Sequence, residues 1–212
     1  MVSAPPESRV PANVAVFVCA GLYIPLSDRL VVGPRWILPA LLVLLFIPLT
    51  IRRHRRPDDA KWIHRLAMSL VAVITIANFI SVVLLIHRVF YGSHVDGTGL
   101  LYSAASIWAT NVIVFGLWFW ELDRGGPHVR VGPDRSLPDL QFPQMTVPAH
   151  GPTDWHPRFF DYLYTSLANG TSFAPADAMP LTFYMKALFA WESLISFVTI
   201  AIVAGEAINI LR

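Results

Sequence analysis

Two long runs without a single charge constrain this chain more than any other feature. Leu66 to Ile86 gives 21 such residues, and Gly97 to Trp120 gives a second run. Crossing the hydrocarbon of a bilayer takes about 20 mostly apolar residues, so each run is long enough to span. The rest of the chain agrees: 55% of residues are hydrophobic and 14% charged, and mean hydropathy is +0.53. Soluble domains carry roughly 25% charge, which argues against a water-soluble globule, and disorder would require far less apolar mass. A net charge of +2 leaves no nucleic-acid footprint, and the lone Cys19 excludes an internal disulfide framework.

Three further segments complete the expected bundle. Trp36 to Ile51 is shorter and is preceded by Gly33-Pro34-Arg35. Ala187 to Leu211 is long enough but contains Glu192 and Glu206. Val10 to Leu26 is the weakest, with Asn13 inside it and Pro25 near its end; a signal peptide is the other reading, though no small-residue cleavage site follows. The expectation is an all-α integral membrane helical bundle of five spans, or four if the first does not cross.

Charge sets the expected topology. Arg52, Arg53, Arg55, Arg56, Lys61 and Arg65 follow the segment Trp36 to Ile51. With that loop inside, all Lys and Arg except Arg29, Arg35, Arg88 and Arg212 lie inside or at inner ends, as the positive-inside rule favours. Trp36, Trp62, Trp118 and Trp120 mark interfacial ends. The basic loop also has the charge to attract anionic lipid.

Residues 124–157 differ in kind. Prolines at 127, 133, 138, 143, 148, 152 and 157 block regular structure, which predicts an extended connector. Phe142, Met145 and Trp155 are available to dock it, and a mobile linker is the other reading. The expected organisation is a four-helix region over 1–123, this connector, and a pore-loop-like helix plus last span over 158–212.

The last span carries the main candidate chemistry. An intramembrane carboxyl group normally faces a bundle interior or water. At about 100° per residue, Glu192, Ser196, Thr199 and Glu206 share one helix face, with Ser193 and Asn209 flanking it. They form either a polar seam along a conduction path or an interhelical glue, with Asn78 and Asn111 as possible partners. Before this span, Arg158 to Leu167 reads as a short amphipathic helix, Asn169-Gly170-Thr171-Ser172 as a glycine break, and Ala174 to Thr182 as the lead into the last helix. That layout predicts a re-entrant loop or an interfacial helix with a turn capped by Asp177.

Tyr162-x-Tyr164-Thr165-Ser166, then Asp177-x-x-Pro180-Leu181-Thr182, Lys186 and Glu192 resemble the pore-helix, filter and inner-helix region of two-span potassium channels. The Thr-Val-Gly-Tyr-Gly filter is replaced by Ala168-Asn169-Gly170-Thr171-Ser172-Phe173. The resemblance implies a homo-oligomeric pore, tetrameric if channel-like, conducting an inorganic ion past a non-potassium-type constriction. Thr165, Asn169, Gly170, Thr171, Ser172 and Asp177 would form that constriction. A channel loop of that kind opens outward, whereas the charge count places this one inside.

Gly33-Pro34-Arg35-Trp36-Ile37-Leu38-Pro39, Ile107-Trp108-x-Thr110-Asn111-Val112, Phe119-Trp120-Glu121-Leu122-Asp123-Arg124-Gly125-Gly126-Pro127 and Phe142-Pro143-Gln144-Met145 resemble a bacterial family of multi-span membrane proteins without an assigned activity. That resemblance implies the bacterial inner membrane. The competing functional expectation is a non-conducting scaffold or accessory subunit that binds a partner through the bundle and connector. Glu121, Asp123 and Arg124 close the fourth span as an ion or headgroup site, or as a locally paired helix end. His150, Asp154 and His156 have metal-compatible types, but without further ligands at a recognisable spacing no metal or cofactor is expected. No phosphate cradle, nucleophile elbow or zinc-protease helix is present, so an enzyme is not expected.

Overall fold

The structure is a computed structural model that describes residues 7–24, 26, 30, 36, 39–41, 59–91, 97–127, 129–130, 137–146, 155–173 and 177–210, with 59–61 and 209–210 as backbone. The expected span from Trp36 to Ile51 and the basic run Arg52–Arg56 fall almost wholly outside the described residues, as do His150, Asp154 and residues 174–176.

Helix formation follows the apolar runs. Helix α1 is Val10–Tyr23, with Pro11 in its first turn and Pro25 just after its end. Helix α2 is Asp59–Tyr91, with Arg88 in the last turn, where a cation meets the negative end of the helix dipole. Helix α3 is Gly97–Leu122, α4 is Phe159–Ser172 and α5 is Phe183–Ile210. Among the described residues, three helices are long and apolar enough to cross a membrane, over Trp62–Tyr91, Gly97–Gly125 and Phe183–Ile208. Helices α1 and α4, at 14 residues each, reach only about 21 Å, short of a bilayer's ~30 Å hydrocarbon core. The architecture is the expected all-α helical bundle.

Helix α3 is the central post, packed against all four other helices. Its core residues Ile107, Phe115, Phe119 and Trp120 are at most 1% exposed, and the buried residues extend round the helix rather than along one stripe. The other four helices run antiparallel to it. Arg9, just before α1, and His64, near the start of α2, both reach Glu121. Phe159 at the start of α4 meets Trp120 edge-on, and Phe189 in the second turn of α5 stacks on Phe119 at 4.4 Å. The amino ends of α1, α2, α4 and α5 therefore gather around the carboxyl end of α3.

Helix α4 enters the bundle and the chain leaves by the same end. From Trp120 it descends past Val112 to Trp108, whose indole donates to the Gly170 carbonyl at 3.3 Å. It stops at Phe173, which takes φ 55 and sets its ring against Phe197. Six residues later the chain is back at the starting end. There β2 (Met179–Pro180) pairs antiparallel with β1 (Leu140–Gln141), and the Leu181 amide donates to the Asp139 carbonyl at 2.9 Å. This is the re-entrant course.

The glycine break does not occur at Gly170. The helix continues through it to Ser172 because the glycine serves close approach. A Cβ there would lie 3.1 Å from Ser196 Oγ and 3.2 Å from Val112 Cγ2. The connector docks where it is described: Phe142 sits edge-on to Tyr162 and to Trp155. Gly170→Leu is expected to wedge α4 from α5 and cost about 1–3 kcal/mol of stability, read as a lower melting temperature of the detergent-solubilised protein.

Candidate functional site

Two polar clusters lie on α3, one at depth and one at its carboxyl end. The deep cluster is built where α3, α4 and α5 meet. Glu192 on α5 is fully buried. One of its carboxyl oxygens takes the Asn169 amide at 2.8 Å and the other contacts the Ser166 hydroxyl. The same hydroxyl lies 2.6 Å from the Val112 carbonyl of α3. Asn169 also donates to the Phe189 carbonyl at 3.0 Å and accepts from Ser193 at 3.1 Å. Asn111 of α3 donates to Ser196 Oγ at 3.1 Å and to the Glu192 main-chain carbonyl at 3.3 Å. The three helices are thus knotted by short polar side chains at a depth where lipid offers no partner.

Of the residues expected at a constriction, Thr165, Asn169 and Gly170 are buried in this junction, while Thr171, Ser172 and Asp177 are exposed. The Thr165 and Thr171 hydroxyls donate to carbonyls of their own helix. Of the seam, Glu192, Ser196 and Thr199 are fully buried and Glu206 is half-buried; the Asn209 side chain lies outside the described residues. Asn111 reaches the seam, but through Ser196 and the main chain rather than the Glu192 carboxyl group. Ser166 and the Val112 carbonyl were not singled out as part of the site. A serine on an aromatic-rich helix carries no signal for a partner on another helix.

The second cluster caps the post. Glu121 is 2% exposed and receives Arg9 at 2.9 Å and the His64 ring at 2.8 Å. Asp123 is fully buried: its Oδ2 accepts from the Tyr162 hydroxyl at 2.6 Å, and its Oδ1 accepts from the amides of Asp139 and Leu140 at 3.0 and 3.3 Å. Asp139 reciprocates by accepting the Arg124 amide at 2.8 Å. Arg130 donates to the Tyr162 oxygen at 2.6 Å and holds Glu7 at 3.3 Å. Glu7 in turn accepts the Trp120 indole at 2.9 Å and the first amide of α4, that of Phe159, at 2.7 Å. Burial pushes the Tyr162 phenol up, the adjacent Asp123 carboxylate adds to this, and Arg130 opposes it.

Local backbone makes this end possible. Arg124, Gly125 and Gly126 take φ of 53, 74 and 98, which turns the chain sharply off α3. A Cβ on Gly126 would also lie 3.0 Å from the Glu121 carbonyl and 3.1 Å from His64 Nδ1. Of the two sequence readings, local pairing holds only for Asp123 with Arg124 at 3.4 Å; both acids are buried, Glu121 pairs with the distant Arg9 and His64, and the turn ties in Arg130 and Asp139 as well. Among the described residues, no group of three or more His, Cys, Asp and Glu side chains is arranged to hold a metal.

The chain matches no family model, no curated protein and no solved structure. The resemblances to potassium-channel pore regions and to a bacterial membrane family therefore rest on the quoted residues alone. Both clusters join elements: one links α3, α4 and α5, and the other links the amino-terminal segment, α3, the connector and α4 at one end. Tyr162→Phe removes the hydroxyl that links Arg130 to Asp123 and is expected to cost about 1–3 kcal/mol. Asp123→Ala, which leaves the Tyr162 hydroxyl and two amides without their acceptor, should cost more. Thermal unfolding of the two variants side by side checks the order.

Proposed function

We propose that the chain is a non-conducting scaffold or accessory subunit of a bacterial inner membrane, holding a partner through the bundle and connector. The observation that supports this is where the polar groups go. Thr165, Ser166, Asn169, Glu192, Ser196 and Thr199 are turned into the bundle, and Ser166, Asn169, Glu192 and Ser196 are joined across α3, α4 and α5. The outward faces of α4 and α5 carry Phe160, Tyr164, Leu167, Trp191, Leu194 and Phe197, each at least 41% exposed. Such faces suit lipid tails or a neighbouring apolar helix, not a hydrated path between copies.

A second reading, the homo-oligomeric pore, is favoured by the re-entrant course of α4. Its carboxyl end stops at depth, where about half a negative charge from the helix dipole would favour a cation. Thr171, Ser172 and Asp177 would then face the path. Reconstituted liposomes distinguish the readings: a scaffold should give monovalent ion flux equal to protein-free vesicles, and flux above that background overturns the scaffold reading. A photo-crosslinker at Tyr164 in native membranes should capture a heterologous partner, whereas a pore should capture mainly itself.

A further inference from the structure

The deep cluster contains more oxygen contacts than the serine proton can fill. Ser166 Oγ lies against two oxygens, the Val112 carbonyl and a Glu192 carboxyl oxygen. A hydroxyl has one hydrogen and a carbonyl has none. The 2.6 Å contact between Ser166 and Val112 therefore takes the serine proton, since two bare oxygens at that separation would repel. The contact between Ser166 and Glu192 then needs a proton from the other side, and only the carboxyl group can supply it.

The geometry points to Glu192 as a proton-binding site, a neutral carboxylic acid whose O–H donates to Ser166 Oγ while its second oxygen accepts the Asn169 amide. Each contact then has one donor and one acceptor in a chain running Glu192, Ser166, Val112. The surroundings agree. Asn111 and the Val112 carbonyl face the cluster from α3, Ser166 and Asn169 from α4, and Ser193 and Ser196 from α5. Helix α2 meets α5 through the Phe79 ring on Trp191. None of the ion pairs among the described residues includes Glu192. An ionised carboxylate there would be a buried charge without a counter-ion, which costs far more than a neutral acid.

The proton assignment rests on contacts within one chain and holds whether the protein scaffolds or conducts. It also makes glutamine the natural replacement. The amide N–H of a glutamine can donate to Ser166 as the acid O–H does, and its carbonyl can accept from Asn169.

The test is infrared spectroscopy of the full chain in liposomes at neutral pH, with melting temperatures of the same variants. A protonated-carboxyl C=O band is expected that shifts in D2O, is lost in Glu192→Gln and persists in Glu206→Gln. Ser166→Ala keeps the acid but removes its acceptor, so the band should shift to higher frequency. Glu192→Gln should melt close to the parent, and Glu192→Ala well below it. Absence of the band, its persistence in Glu192→Gln, an unmoved band in Ser166→Ala, or Glu192→Gln melting as low as Glu192→Ala would each overturn the assignment.

Discussion

Hydrocarbon offers no hydrogen-bond partners, so a polar side chain at depth must find its partner within the protein, and most of this architecture follows from that requirement. Glu192 on α5 needs donors and acceptors at one level, and α4 brings them by descending only as far as that level. Ser166 and Asn169 lie on the buried face of a helix whose outward face is Phe160, Tyr164 and Leu167. Its later turns are inverted relative to a water-soluble helix, with Ser166 and Asn169 inward and Tyr164 and Leu167 outward, while Phe159 and Tyr162 are buried in its first turns. Its length is set by the job: it continues one turn past Asn169 and ends against Phe197.

The two clusters divide the mechanical work along α3. Association between helices at depth gains little from hydrophobicity because lipid tails are as apolar as leucine, so close packing at Gly170 and the hydrogen bonds around Asn169 and Asn111 carry specificity there. At the carboxyl end of α3 the bonding turns ionic. Asp123 spends one oxygen on two connector amides and the other on a phenol, which fixes a proline-rich strand that could not fix itself. Glu7 joins the Trp120 indole, Arg130 and the start of α4, so a residue before the first helix sets the position of the fourth.

What the sequence reveals depends on how local the cause is. The spans are legible because uncharged runs are local, and the shared face of Glu192, Ser196 and Thr199 is legible from helical period alone. Glu206 lies on the same face yet is only half-buried, because α4 ends opposite Phe197 and cannot cover the later turns of α5. Gly170 is ambiguous by nature: a glycine in a polar run signals a break or a close approach equally, and the deciding atoms belong to Ser196 and Val112. The Glu121-Leu122-Asp123-Arg124 turn was visible as a cluster of charges. Its partners Arg9 and Arg130 were not, since nothing in the pattern links residue 9 to residue 121.

The shared direction of four helices has an electrostatic consequence. Each amino terminus carries about half a positive charge, and the starts of α1, α2, α4 and α5 converge where α3 contributes one opposing end. That corner of the bundle therefore holds a fixed positive field made of backbone alone. Glu7, Glu121, Asp123, Asp139 and Asp161 are all found there. The Asp161 carboxylate accepts the Arg158 amide at 2.7 Å at the start of α4, and Glu7 accepts the next amide along. Carboxylates at that corner are therefore held by peptide dipoles as well as by arginine side chains.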